Sequence, residues 1–187
     1  MGQLLKVLST PIPDLMVAET SPITDKRGAF SRLYCEKELA PVIGSRRILQ
    51  VNHSQTAKVG AVRGMHFQHP PHSEMKFVRC IRGKVWDVAV DLRTGSATFL
   101  HWHAVELSAS NKYMVAIPEG FAHGFQSLEA ESELLYLHTA FYNQEAQGGI
   151  NYGDPCLNIN WPLPVTDLSP RDTQHAFMKH DYQGMNE

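Results

Sequence analysis

Cysteine is scarce in this sequence. The chain of 187 residues holds three cysteines, Cys35, Cys80 and Cys156, and none of them forms a CxxC pair. An odd number of widely spaced cysteines argues against a structural disulfide framework and against a cysteine-based zinc site. The sequence therefore predicts a protein of a reducing compartment, and we expect it in the cytoplasm.

Long apolar runs and blocks of like charge are also missing. Apolar runs such as Val88-Ala89-Val90 span only a few residues, and residues 1–6 lack a hydrophobic stretch of signal length. We therefore expect neither a membrane span nor a secretion signal. Seventeen Lys and Arg against nineteen Asp and Glu give a formal charge of −2, with no basic block to neutralise phosphates. Duplex nucleic acid is not an expected partner.

The rest of the composition is that of one compact domain. Apolar residues make up 43% of the chain and charged residues 19%, and no internal repeat or linker divides it. A chain of this size buries roughly 70% of its unfolded surface when it folds. We therefore expect residues 1–187 to form a single domain.

The spacing of glycine and proline predicts an all-β fold. These residues recur roughly every 8 to 12 positions, with short alternating segments between them. In 85–92 the even positions are all apolar and the odd positions include two aspartates, which is the period of two of a strand. A glycine on each side of this strand, Gly83 and Gly95, suits a turn. We expect a β-meander from Phe77 to Leu107 within a sandwich or barrel.

The segment 134–142 alternates as well, but its informative face is polar. Tyr136, His138 and Tyr142 share one side, and apolar residues occupy the other. Such a strand lines a cavity, as in small β-barrels, or presents an aromatic surface. Both interpretations stay open at this point.

Helical signals are confined to two short stretches. Residues 37–42 predict a turn of helix that Pro41 cuts. In 169–177, Ser169 is placed to cap a short helix and Pro170 to occupy its first position. Apart from this helix, residues 162–187 show no clear period and are expected to be irregular.

Titratable residues crowd into the segment 63–76. Its spacing HxxHxxHxE offers His66, His69, His72 and Glu74 as ligands for zinc, iron or manganese. Two prolines between His69 and His72 break regular alternation, so the imidazoles need not converge. A metal site and a loop of exposed histidines are both open interpretations of this segment.

The same segment suits proton transfer at a carbon next to a ketone. Histidine has an ordinary pKa of about 6.5, which makes His66 an appropriate general base near neutral pH. A fixed cation such as Lys76 would stabilise the enolate oxygen that forms when the base removes a proton. The alternative is that His66 is an ordinary hydrogen-bonded residue of a strand.

A further motif lies at 117–125. Its spacing P-x-G-x-x-H places His123 just after a turn formed by Pro118 and Gly120, which directs the side chain back into a barrel interior. This spacing resembles the second motif of the cupin superfamily of double-sheet jelly rolls. The first cupin motif needs HxH, and residues 66–68 do not supply it. The resemblance supports the fold and argues against a cupin metal site.

The ordered set of motifs resembles one metal-independent cupin family, the dTDP-4-dehydrorhamnose 3,5-epimerases of deoxysugar biosynthesis. The matching stretches lie at 25–30, 50–54, 62–68, 85–91, 117–125, 136–142 and 154–162. The resemblance implies an all-β, cupin-type double-sheet jelly roll with a few short peripheral helices. It also implies an isomerase without metal or cofactor that converts dTDP-4-dehydro-6-deoxy-D-glucose to dTDP-4-dehydro-L-rhamnose. Such an enzyme inverts C3 and C5 through an enolate.

The resemblance also implies roles for individual residues. His66 matches the general base, Asp172 the acid that orients it, and Tyr136 the proton donor on the opposite face of the sugar. Lys76 and Arg63 match positions near the 4-keto oxygen and the diphosphate. The other matching pocket positions are Asp87, His123, Gln50, Asn52, Tyr142, Arg27 and Phe30. In the family the last two come from the neighbouring subunit through an exchanged N-terminal strand, which implies a homodimer.

The positions of Arg63 and His66 conflict with an unbroken strand. Side chains at an odd separation point to opposite faces of a strand, yet both residues match positions in one pocket. We expect a bulge at Gly64 to bring them to the same side.

Two stretches depart from the commonest family pattern. Glu74-Met75 precedes Lys76 where Gln-Gly is frequent, and the usual Tyr-Lys-Thr-Thr-Asp-Tyr-Tyr reads Tyr-Leu-His-Thr-Ala-Phe-Tyr at 136–142. Three alternatives therefore stay open. The chain could be an epimerase of C3 or C5 alone on a dTDP- or CDP-linked sugar, a metal-dependent cupin enzyme using the histidines of 66–72 with Glu74 and His123, or a non-catalytic sugar-nucleotide binding module.

Overall fold

A computed structural model describes residues 3–186 of the chain. Thirteen strands and two short helices lie among these residues. The strands are β1 (Leu5–Ser9), β2 (Met16–Thr20), β3 (Ile23–Asp25), β4 (Gly28–Phe30), β5 (Gln50–Thr56), β6 (Val62–Gln68), β7 (Lys76–Arg82), β8 (Lys84–Asp91), β9 (Trp102–Ser108), β10 (Tyr113–Ile117), β11 (Phe121–Ser127), β12 (Ser132–His138) and β13 (Gln147–Gly149). The helices are α1 (Glu36–Ile43) and α2 (Pro170–Gln174).

The strands form two large antiparallel sheets and one hairpin. The six-stranded sheet has the order β1-β2-β10-β7-β12-β5, and the five-stranded sheet has the order β13-β6-β11-β8-β9. Within the described part of the chain, strands β3 and β4 pair only with each other. This architecture confirms the expected all-β, cupin-type fold with short helices. Among the described residues, no helix has the length and apolar character needed to cross a membrane.

The apolar faces of the two sheets meet in a shared core. Val78 on β7 and Leu134 on β12 come from the six-stranded sheet, and they cluster with Phe125 on β11 and Ala89 on β8 from the five-stranded sheet. Each large apolar side chain buried in this way contributes about 1.5–3 kcal/mol. Tyr136 packs against the edge of this core, so the core fixes the strand that presents its phenol.

The strand expected at 85–92 is confirmed as β8, but the expected β-meander from Phe77 to Leu107 is wrong. Strand β8 pairs with β9 and β11, whereas β7 pairs with β10 and β12 in the other sheet. The chain therefore crosses from one sheet to the other at Gly83. This glycine has a φ of +72°, and a Cβ atom there would lie 2.5 Å from Ser132 Oγ. A turn signal alone does not distinguish such a crossover from a hairpin.

The two helices contradict one of the helical predictions and confirm another. Helix α1 continues through Pro41 to Ile43, so the expected break at Pro41 is wrong. Leu39 and Ile43 are buried in an apolar cluster, and this packing outweighs the backbone hydrogen bond that proline removes. In α2 the capping prediction is confirmed, because Ser169 Oγ accepts a hydrogen bond of 3.0 Å from the Asp172 amide. This helix ends at Gln174, three residues earlier than expected.

Candidate active site

A cavity of about 300 Å³ lies between the two sheets. Strands β6 and β11 of the five-stranded sheet form one wall, and β5, β7 and β12 of the six-stranded sheet form the other. The residues that line it are Asn52, His53, Ser54, Arg63, His66, Glu74, Lys76, His123, Phe125, Tyr136, His138, Tyr142, Gln147 and Arg171. The polar face of β12 thus faces a cavity. Of the three residues predicted for it, Tyr142 lies beyond the end of the strand.

His66 and Asp172 form a hydrogen-bonded pair at this cavity. His66 Nε2 lies 2.6 Å from Asp172 Oδ1, and the Asp172 side chain is 2% exposed. Burial lowers the pKa of His66 below its ordinary value, although the hydrogen bond and charge of Asp172 act in the opposite direction. A neutral imidazole near neutral pH follows. Because its Nε2 proton is donated to Asp172, Nδ1 carries the lone pair that can accept a proton.

A bulge brings Arg63 and His66 to the same cavity. His66 pairs with His123 and Arg63 pairs with Phe125, so three steps along β6 match two steps along β11. The expected bulge at Gly64 is thereby confirmed. Gly64 has a φ of +132°, and a Cβ atom there would lie 2.5 Å from the Gly124 Cα atom. Only glycine fits this conformation and this close approach of two strands.

Tyr136 presents its phenol from the opposite sheet. Its Oη lies 3.2 Å from Ser54 Oγ on the adjacent strand β5. Burial raises the pKa of Tyr136 far above its ordinary value, so the phenol stays protonated at neutral pH. The ring stacks on His138 at 6.0 Å and meets His123 edge-on at 6.4 Å, which fixes its plane. The site therefore pairs a neutral imidazole on one wall with a protonated phenol on the other.

Lys76 supplies a buried cation on the same wall of the cavity as Tyr136. Its Nζ lies 3.0 Å from Glu74 Oε1, and Glu74 Oε2 lies 2.7 Å from His138 Nδ1. Although burial acts to raise it, the pKa of Glu74 falls to about 2, because His138 and Lys76 stabilise the carboxylate. The ammonium thus has a permanently charged partner on one side and the cavity on the other.

His123 and Asp87 form a second imidazole–carboxylate pair. His123 Nε2 lies 2.9 Å from Asp87 Oδ2, and both side chains are buried. His123 lines the cavity, but Asp87 lies behind it. Of these two predicted pocket residues, only His123 is therefore placed to meet a ligand directly.

Asn52 and Tyr142 line the more exposed end of the cavity, and Gln50, which does not line it, is hydrogen-bonded to both. Gln50 Nε2 donates to Asn52 Oδ1 at 3.2 Å, and the Tyr142 amide donates to Gln50 Oε1 at 3.2 Å. A larger depression of about 590 Å³ adjoins the cavity and shares Arg63 and Arg171 with it. The two arginines give the junction of the cavity and the depression a positive charge, which suits a negatively charged ligand.

Arg27 and Phe30 are not brought to this cavity. Both lie on the hairpin formed by β3, β4 and the turn between them, residues 23–30, which are all exposed. Arg27 pairs with Asp25 inside the hairpin, and Phe30 is 60% exposed. Within this chain, Arg27 and Phe30 therefore lie apart from the other ten predicted site residues.

The histidines of the metal interpretation do not converge. Among the described residues, the group of possible ligands whose atoms lie within 4.8 Å of one another is His66, Asp172 and His175. It includes none of His69, His72, Glu74 and His123. Arg171 Nη2 lies 2.9 Å from His66 Nε2, and its positive charge opposes a cation at that group. The geometry favours a proton-transfer site over a metal site.

Sequence reasoning missed two neighbours of His66. Arg171 precedes Asp172 in the capped helix α2, and His175 Nε2 lies 3.8 Å from Asp172 Oδ1. The Ser-Pro-Arg-Asp run at 169–172 was the available signal for Arg171, because a short capped helix presents adjacent residues at one site. No sequence pattern indicated His175.

The chain is similar to known proteins along most of its length. Residues 9–180 match the family model of dTDP-4-dehydrorhamnose 3,5-epimerase. A protein of that description from Shigella flexneri is 41% identical over 180 residues, which covers 95% of this chain and 99% of that one. A dTDP-4-dehydrorhamnose 3-epimerase from Streptomyces niveus is 40% identical over 149 residues, which covers 79% of this chain and 72% of that one.

A solved structure extends the similarity to three dimensions. It is a dTDP-6-deoxy-D-glucose-3,5-epimerase from Legionella pneumophila in complex with dTDP-4-keto-L-rhamnose. It superposes with a TM-score of 0.90 at 35% identity, covering 98% of this chain and 99% of that one. The similarity therefore includes the two sheets that enclose the cavity.

Proposed function

Because this chain belongs to the dTDP-4-dehydrorhamnose 3,5-epimerase family, we propose that it converts dTDP-4-dehydro-6-deoxy-D-glucose to dTDP-4-dehydro-L-rhamnose by inverting C3 and C5. It is an isomerase of deoxysugar nucleotides. One observation carries the mechanism: the His66 imidazole, hydrogen-bonded to Asp172, on one sheet and the protonated Tyr136 phenol on the other line the same cavity. Inversion needs chemical groups on both faces of a carbon, and this arrangement supplies them.

The reaction begins at a C–H bond next to the 4-keto group. Neutral His66 takes the proton from carbon, and the electron pair moves onto the keto oxygen to form an enolate. We assign the Lys76 ammonium, which lines the cavity, to stabilising the negative oxygen. Tyr136 then gives its phenolic proton to the opposite face of the same carbon, and the keto group returns. His66 ends with one proton more and Tyr136 with one fewer, and exchange with water restores both.

The same groups serve C3 and C5, because both carbons flank C4 and share its carbonyl oxygen. A narrower function is the second candidate, since the relative from Streptomyces niveus, at nearly the same identity, bears the name of a 3-epimerase. The proposed steps at either carbon are proton transfers between side chains and substrate. They use no metal or redox cofactor.

Charge and hydrogen bonding support the remaining assignments. Arg63 and Arg171 lie where the cavity meets the larger depression, and we assign them to the diphosphate, which an arginine pair binds well. Gln50, Asn52 and Tyr142 are assigned to the rest of the nucleotide. His123, backed by Asp87, is assigned to the sugar.

A panel of substrates tests the function. The enzyme is incubated in deuterium oxide with dTDP-, CDP- and GDP-linked 4-keto-6-deoxy sugars, and proton NMR follows the ring hydrogens at C3 and C5. We expect both hydrogens of the dTDP-linked sugar to be replaced by deuterium. Loss at one carbon identifies the single-site epimerase, and binding without exchange contradicts an enzymatic role.

We propose a cytoplasmic homodimer in which the β3–β4 hairpin of residues 23–30 completes the partner's site. The hairpin pairs with no other strand of residues 3–186, and its exposed Phe30 and Arg27 are of the types that stack on a base and bind an anion. The free cysteines are compatible with a reducing compartment. Residues 1–187 then form one epimerase domain per subunit.

Mixed dimers test the exchanged hairpin. An Arg27→Ala/Phe30→Ala variant and a His66→Asn variant are each expected to be nearly inactive. When equal amounts exchange subunits, half of the dimers are hybrids with one complete site, so activity should recover to about a quarter of wild type. Hybrids that form, as shown by differently tagged subunits, but regain no activity would exclude the exchange.

A further inference from the structure

A buried carboxylate, Glu74, lies between Lys76 and His138 on the wall formed by the six-stranded sheet. The side chains of Glu74, Lys76 and His138 are 10%, 8% and 12% exposed. We propose that Glu74, oriented by His138, is a positioning residue that holds the Lys76 ammonium against the keto oxygen of the substrate. This inference rests on the proposed epimerase function and deepens it.

Lys76 needs such a partner because of its side chain. A lysine carries a point charge on a flexible four-carbon stem, whereas stabilisation of an enolate requires a cation already in place. Glu74 provides the restraint, since each of its two oxygens has its own partner, Lys76 Nζ at 3.0 Å and His138 Nδ1 at 2.7 Å. A carboxylate bonded at both oxygens cannot rotate away, so the ammonium stays in one place.

The backbone fixes all three members of this group. Lys76 and His138 are directly paired positions of β7 and β12, so their side chains lie on the same face. Glu74 lies two residues before Lys76, and the amide of the intervening Met75 donates to Thr139 Oγ1 at 2.9 Å. The loop that carries Glu74 is therefore tied to the end of β12.

Both ring nitrogens of His138 have hydrogen-bond partners. Its Nδ1–H donates to Glu74, and its Nε2, 3.3 Å from Asn52 Nδ2, accepts from that amide. The Asn52 oxygen in turn accepts from Gln50 Nε2 at 3.2 Å. This series of hydrogen bonds connects Lys76 to the residues assigned to the nucleotide.

Glu74 is unsuited to proton transfer. Its pKa of about 2 keeps it a carboxylate across the pH range in which the enzyme works. So weak a base does not remove a proton from carbon. A role through Lys76 is the one that remains. The two departures from the common family pattern, at Glu74 and His138, touch each other although 64 residues separate them.

Glu74→Gln tests the role by removing the charge at nearly constant shape. We expect kcat for deuterium wash-in to fall roughly 10- to 100-fold, because misplacing a reacting group by about 1 Å costs that much. KM should change by less than about twofold, since the contact is made in the transition state. In a Lys76→Met background, the same substitution should cause no further loss.

His138→Phe gives a second test that does not depend on the folding of Glu74→Gln. It keeps a ring stacked on Tyr136 but removes the hydrogen bond to Glu74, so kcat should fall roughly tenfold. The double variant should lose no more than Glu74→Gln alone, because both residues act through Lys76. A wild-type kcat in His138→Phe overturns the proposal.

Glu133→Gln is the matched control. This carboxylate on β12 likewise joins an imidazole and a cation, His53 and Arg82, but it does not line the cavity. The kcat of the Glu133→Gln variant should stay within about twofold of wild type. A raised KM at unchanged kcat in Glu74→Gln overturns the positioning role. So does a further loss of kcat in the Lys76→Met background that equals the loss caused by Glu74→Gln alone. If wild-type enzyme exchanges no hydrogen of any sugar, the proposed epimerase function itself is wrong.

Discussion

Replacing His66 by asparagine is expected to abolish deuterium wash-in at both C3 and C5 of the 4-keto sugar. The amide fills similar space and can still bond to Asp172, but it has no basic lone pair to accept a proton from carbon. A general base contributes roughly 10²- to 10⁴-fold, so kcat should fall by about three orders of magnitude. Proton NMR in deuterium oxide measures the loss, and affinity for dTDP should remain.

His103→Asn is the control for this substitution. His103 lies on β9 of the same sheet as His66, and burial lowers its pKa as well, but it does not line the cavity. It should leave wash-in unchanged. Continued exchange at both carbons in His66→Asn would remove His66 from the role of base.

Tyr136→Phe is expected to separate exchange from inversion. Without the phenol, His66 still forms the enolate but returns a solvent-derived proton to the face from which it removed one. Recovered substrate should therefore contain deuterium, while conversion to the inverted sugar slows by roughly 10²-fold. NMR of substrate and product in the same reaction measures both quantities.

Tyr113→Phe is the matched control, because Tyr113 and Tyr136 pack against the same core cluster. Tyr113 does not line the cavity, so its loss should affect neither exchange nor inversion. An equal decrease of exchange and inversion in Tyr136→Phe would argue against Tyr136 as a distinct proton donor.

Much of the architecture could be predicted from local pattern. The alternation at 85–92 identified β8, and the Ser-Pro pair at 169–170 identified the start of α2. Both signals come from backbone geometry that a few neighbouring residues decide. The continuation of α1 through Pro41 could not be predicted, because the burial of Leu39 and Ile43 depends on distant strands.

The candidate site shows the same division between local and distant effects. The need for a bulge at Gly64 followed from the odd separation of Arg63 and His66 together with the family resemblance, which implies that both lie in one pocket. The contact of His66 with Asp172 spans 106 residues, and only family resemblance suggested it. Nothing in the sequence predicted that Glu74 and His138 would touch, because residues on different elements meet only when the sheets are assembled.

The central claim is that His66 and Tyr136 lie on opposite faces of the sugar. A crystal structure with a bound dTDP-4-keto-6-deoxy sugar tests this claim most directly. The account predicts that the sugar ring lies between the two sheets, with the His66 imidazole on one face and the Tyr136 phenol on the other. The Lys76 ammonium should contact the keto oxygen. A ring that has both His66 and Tyr136 on the same face, or that lies outside the cavity, would contradict the account.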